Sequence, residues 1–81
     1  MQILCGDLNV LPDSATIEFL RAMGLTELVT TGGHTSTRTS HYRKRERYAD
    51  YMFVNYPRFV KEFEVVNDPE VSDHCPLLLE I

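Results

Sequence analysis

The stretch VSDHCPLLLEI, residues 71–81, sets the polar triplet Ser72, Asp73 and His74 directly against a run of leucines. A short continuous apolar run bounded by turn residues predicts a strand, and the run Leu77 to Leu79 implies cover on both faces. Its mouth must then face something polar.

Working outward, RYADYMFVN (47–55) alternates, with Tyr48, Asp50, Met52 and Val54 on one face and Ala49, Tyr51 and Phe53 on the other. It reads as a strand. FVKEFEVV (59–66) is another, after a turn at NYPR, and QILCG (2–6) predicts a short buried strand that ends in Gly6. DLNVLPDS (7–14) is loop-like and offers Asp13 or Ser14 as a helix cap. The helix that follows spans SATIEFLRAMG (14–24), with Thr16, Phe19, Leu20 and Met23 at i, i+3, i+4 and i+7 and Gly24 suited to the C-terminal cap. TTGGHTSTRTS (30–40) is rich in glycine and hydroxyls, a loop leading into a polar strand.

The order strand, helix, loop and three strands predicts an α/β fold of the α+β kind: a mixed, mainly antiparallel sheet with one helix packed on one face. The opposite face has no partner in this pattern. With 81 residues the chain makes at most one domain, and a domain of that size hides only ~60% of the surface of its unfolded form. Composition is that of a globular protein, 43% hydrophobic and 25% charged, with no apolar run long enough to span a membrane. A cytoplasmic location follows as an expectation. Cys5 and Cys75 both sit in apolar contexts and read as reduced, buried thiols. Net charge is −4, yet Arg38, Arg43, Lys44, Arg45 and Arg47 make a local basic segment. That segment is either a solvated loop or a contact for a phosphate-bearing ligand.

Three polar clusters fall at strand ends or centres. Asp7 and Asn9 follow the first strand, and a locally extended chain would point both the same way. Asp50 interrupts an apolar strand, which is costly unless a partner receives the carboxylate. His74 is a candidate partner, because a carboxylate on one ring nitrogen fixes the tautomer; Asp73 would then point elsewhere. Taken singly, each has a plainer explanation as a turn, cap or structural residue. A zinc site from His34, His41, His74 and a cysteine is disfavoured, since no pair has the close spacing of such motifs.

ILCGDLNVLPDS, RYADYMFVN and SDHCPLLLEI, in this order, resemble the last three signature segments of the endonuclease/exonuclease/phosphatase superfamily. The resemblance implies the carboxy-terminal sheet-and-helix layer of a four-layered α/β sandwich, with residues 1–81 as a single partial domain. It implies that Asp7 orients or activates the attacking water, that Asn9 helps to hold the phosphate, and that Asp50 hydrogen-bonds His74, which faces the scissile group. Asp73 belongs near a divalent metal, magnesium or manganese, in keeping with oxygen ligands. Arg38, His41 and Arg43 become candidates for substrate phosphate. The family's amino-terminal half, with its metal-binding Asn and Glu, has no counterpart in these residues. Two functions follow: part of a metal-dependent phosphoesterase, inactive without that half, or a non-catalytic module that self-associates through the uncovered face. Nucleic acid, inositol phosphates and phospholipid head groups are all compatible substrates.

Overall fold

The computed structural model describes all 81 residues, and strand β3 (Asp50–Val54) lies at its centre. Its apolar alternation is read from both sides. Tyr51 and Phe53 pack with Ile17 in one cluster, while Met52 and Val54 pack with Leu28 in another. Along the chain stand β1 (Ile3–Asp7), α1 (Ala15–Ala22), β2 (Thr26–Glu27), α2 (Leu28–Thr31), β3, a 3₁₀ turn at Pro57–Phe59, β4 (Glu62–Val65) and β5 (Leu77–Glu80). The class is α+β, and every strand pairing is antiparallel. The strands form a three-stranded sheet ordered β1-β3-β2 and a separate β4-β5 pair. The β4-β5 pair lays Phe63, Leu77 and Leu79 against the Met52 and Val54 face. No helix is long and apolar enough to cross a membrane.

Helix α1 begins where the sequence places it: Ser14 Oγ accepts from the Ile17 amide at 3.3 Å, satisfying one free donor of the first turn. Its buried face differs from the expected one. Ile17 is fully buried and Leu20 partly so, whereas Phe19 and Met23 are 66% and 64% exposed. A helix this short accepts the apolar template in two registers, and its rotation is decided by the groove between Tyr51 and Phe53.

A second helix, α2, occupies part of what the sequence presents as loop. Its cap is Glu27, a fully buried carboxylate that accepts from the Val29 and Thr30 amides, the latter at 3.1 Å, and from the Thr30 hydroxyl. Arg21 stands 3.6 Å from it. Fully hydrogen-bonded, the buried charge is tolerable.

Two strands expected to be buried are not. All five residues of β1 are exposed, because β1 is an edge strand without cover. In β5 the leucines alternate, with Leu77 and Leu79 inward and Leu78 58% exposed, so the run has cover on one face.

The two sheets meet through the polar segment 36–39. Thr37 N–H donates to the Arg47 carbonyl, and the Thr37 carbonyl accepts from Cys75 N–H, each at 2.8 Å. Thr37 Oγ1 accepts from the amides of Ala49 (3.0 Å) and Asp50 (3.2 Å). This threonine is completely buried. Arg47 closes the excursion behind it, its guanidinium donating to the carbonyls of Arg38, Thr39 and Tyr42.

The corrected helix face gives a direct test. Ile17→Ala is expected to lower unfolding free energy in urea by about 2–5 kcal/mol, as for other buried large-to-small changes. Phe19→Ala should stay within about 0.5 kcal/mol of the parent chain.

Candidate active site

In the ladder between β1 and β3, Asp7 stands opposite Asp50. Two carboxylates at one rung repel. The polar triplet before β5 brings in the compensating group, since 36–39 pairs with 73–75 and sets Arg38 and His74 as antiparallel bridge partners. The His74 ring then lies between the acids. Nδ1 is 2.8 Å from Asp50 Oδ2, and Nε2 is 3.9 Å from Asp7 Oδ2 and 3.9 Å from Asp73 Oδ1. Asp73 therefore approaches the same ring rather than pointing away from it.

Arg38 Nη1 lies 3.0 Å from His74 Nε2. A guanidinium only donates, so Nε2 must accept and the ring proton sits on Nδ1, donated to Asp50. The same Nη1 is 3.7 Å from Asp73 Oδ2, and the guanidinium stacks 3.8 Å above the Tyr42 ring. Arg38 is 8% exposed, and its Nε has no hydrogen-bond partner.

Asp7, Asp50 and His74 bring their ligand atoms within 4.8 Å of one another, a spacing that suits a metal ion. The hydrogen bonds argue against the imidazole as a ligand, because both ring nitrogens are engaged and one faces a cation. Carboxylate oxygens are the better fit. A hard divalent ion takes one or two carboxylates with waters and substrate oxygens, and Asp7 and Asp73 keep half-exposed carboxylates around Nε2.

The remaining candidates are more dispersed. Asn9 has φ +49°, a left-handed residue, so the chain is not extended there and the expected alignment with Asp7 is lost. It is exposed and its side chain makes no hydrogen bond, although its amide donates to the Ala49 carbonyl at 3.1 Å. The loop beyond is tied by Tyr51, whose hydroxyl donates to the Val10 carbonyl at 2.6 Å; burial, then the Glu27 charge, pushes this phenol up to about 12. His41 and Arg43 are exposed and outside the contacts of the His74 ring, so the basic run has little in common with its buried first member. Thr37 and Tyr42, which fix Arg38 and Asp50, carry no sequence signal beyond the polar strand expected at this place.

Beside Asp50 a cavity of about 220 Å³ is lined by Cys5, Gly6, Met52, Cys75 and Leu77. The thiols are free, and their settings differ. Cys75 is buried, and desolvation, followed by the charges of Glu70 and Asp50, raises its pKa; Cys5 is exposed, contrary to the reading of both as buried.

The imidazole is thus held between aspartates at the ends of the strands. The family model described as the endonuclease/exonuclease/phosphatase family matches residues 1–74, and the chain belongs to that family. No curated protein and no solved structure matches it. That family is a phosphoesterase-type superfamily whose members generally use divalent metals.

Two measurements follow. Alkylation of the native chain at neutral pH, read by mass spectrometry, is expected to label Cys5 well before Cys75, because the reactive species is the thiolate and Cys75 is both covered and held protonated. The second concerns Glu70, whose pKa is lowered chiefly by the Ser40 hydroxyl and then by the Ser40 amide. A depressed carboxylate adds stability above the unfolded value and loses it as pH falls through the folded one. A carbon-detected titration should place Glu70 below ordinary glutamates, and Ser40→Ala should move it up.

Proposed function

We propose that this chain supplies the His74 half of a metal-dependent phosphoester hydrolase acting on a phosphodiester or phosphomonoester, nuclease-like or small. The observation that carries this reading is the convergence of Asp7, Asp50 and Asp73 on the two nitrogens of one imidazole. Asp50 holds the ring and its tautomer, so that Nε2 points at the reacting group. Arg38 Nη1 already sits where a phosphoryl oxygen would approach, and a guanidinium matches such oxygens in a forked geometry. Asp7, across the ladder, is placed to orient the attacking water. Asn9, in its left-handed turn, presents an amide free to bond phosphate. Magnesium or manganese, held by Asp73 with Asp7, would neutralise charge on the phosphate oxygens.

Exposed apolar side chains on β1 and β5 favour a partner layer: Ile3, Leu4, Leu78 and Ile81 are all more than two-fifths exposed. Exposed apolar surface, where it is contiguous, drives association. We assign its cover to a further layer of the same fold, without which the pocket stays open to water and turnover stays low. The competing reading, a non-catalytic module that associates with itself, draws on the same surface.

Hydrolysis of bis(4-nitrophenyl) phosphate with magnesium separates the two. Little or no rate is expected from the chain alone; any rate should be lost on chelation and fall at least about 10²-fold in His74→Ala, the usual worth of a proton-transferring group. A rate unchanged in that variant would reject the catalytic reading; no rate, with a concentration-dependent dimer in sedimentation, would favour the module.

A further inference from the structure

On the far side of the His74–Cys75 segment lies a second cavity, of about 230 Å³, lined by Gly33, His34, Thr35, Ser36, Arg38, Val65, Asn67 and Cys75. Cys75 borders both cavities and Arg38 reaches from this one to His74 Nε2, so it adjoins the reaction pocket. Its lining contains no carboxylate.

Several polar groups here are able to donate to a ligand. Neither the His34 ring, the Thr35 hydroxyl nor the Asn67 amide hydrogen-bonds to the protein, in contrast to Ser36, whose hydroxyl is committed to the carbonyls of Arg38 and Arg47. His34 is instead positioned by its edge-to-face contact with Phe63 at 5.5 Å. Gly32 lets the ring come close, since a Cβ there would lie 3.2 Å from His34 Cδ2. Arg38 adds a buried cation, with Nε unpartnered, at the wall shared with His74. Groups able to donate, with a guanidinium whose nearest carboxylate, Asp73 at 3.7 Å, lies outside this lining, suit an anion with several oxygens.

We propose that this cavity is a second anion subsite, which holds an additional phosphate of the substrate whose reacting phosphoester lies at His74. The proposal rests on the phosphoester reading and narrows it to substrates with two phosphates close together. Arg38 is the bridge between them: one edge of its guanidinium serves the reacting group and the other the second phosphate. The ring of Tyr42 beneath keeps the plane fixed, a role a lysine ammonium would not fill.

The test uses the isotope-labelled full chain, titrated with inorganic phosphate, a nucleoside, a nucleoside 3′-monophosphate and a nucleoside 3′,5′-bisphosphate. The bisphosphate is expected to bind about tenfold more tightly than the monophosphate, the worth of one good hydrogen bond to a charged group. It should shift the amides of residues 33–36 and the Asn67 side chain. In a Thr35→Val, Asn67→Leu variant, both exposed positions without bonds to the fold, that advantage should vanish while monophosphate affinity is kept. Equal affinity for the two nucleotides, or the same cavity shifts with the unphosphorylated nucleoside, overturns the proposal. Phosphate shifts confined to Asp7, Asp50 and His74 overturn the second subsite and spare the phosphoester reading; shifts confined to the cavity reject that reading and keep the anion site.

Discussion

Asp7 and Asp50 occupy one rung of the β1–β3 ladder, and that register is the constraint on which the site is built. Like charges directly opposed on a sheet disfavour pairing, and a compensating group against the rung offsets that. His74 and Arg38 are that group. Asp50 takes the imidazole N–H and is mostly covered, while Asp7 keeps about half its side chain in water. One acid is thus bonded to the ring, and the other stays open to solvent.

Holding that arrangement falls to backbone rather than to side chains. Segment 36–39 is hydrogen-bonded to residues 47–50 on one side and 73–75 on the other, with Thr37 supplying bonds from its amide, carbonyl and hydroxyl. A buried threonine can do this because every polar atom it carries finds a partner. Arg47, though part of the basic run, acts wholly inward on carbonyls, and Arg43, Lys44 and Arg45 remain as a solvated surface. The charge run thus divides into a structural clamp, a site residue and an exposed loop, which its composition alone does not reveal.

The surroundings of the His74 pocket are unequal. Toward β1 and β5 lies apolar, exposed surface beside the two cysteines; toward residues 33–36 lies a polar cavity with Arg38 in its wall. A net charge of −4 says nothing of this local polarity. What an approaching ligand meets is the field of nearby groups, and around Arg38 that field is set by burial and by the stack on Tyr42.

Much of the fold was legible in the residues. The alternation in RYADYMFVN placed β3 and the faces of Tyr51 to Val54 correctly, because packing on both sides of a central strand requires that pattern; Tyr48, before the strand, packs instead with Tyr51 and Phe53. The Ser14 cap was readable from chemistry that acts within a few residues. The expected burial of β1, and of both faces of β5, was wrong because hydrophobicity reports what a strand is able to bury, and cover depends on what stands beside it. The rotation of α1 was misjudged for a related reason, since Ile17 is selected by the Tyr51–Phe53 groove. At the site, the residue types Asp7, Asp50, Asp73 and His74 could be read as chemically coherent and similar to a known family. Their distances, the left-handed turn at Asn9, the Thr37 scaffold and the Arg38 contact could not. Sequence by itself determined α1, the longer strands and the identity of the reactive groups, through propensities and side-chain chemistry that need only near neighbours, and left β2 and α2 unread. Which groups meet was decided by tertiary structure, because Arg38, Asp50 and His74 are joined through ladder register and a buried hydroxyl, interactions between residues far apart along the chain.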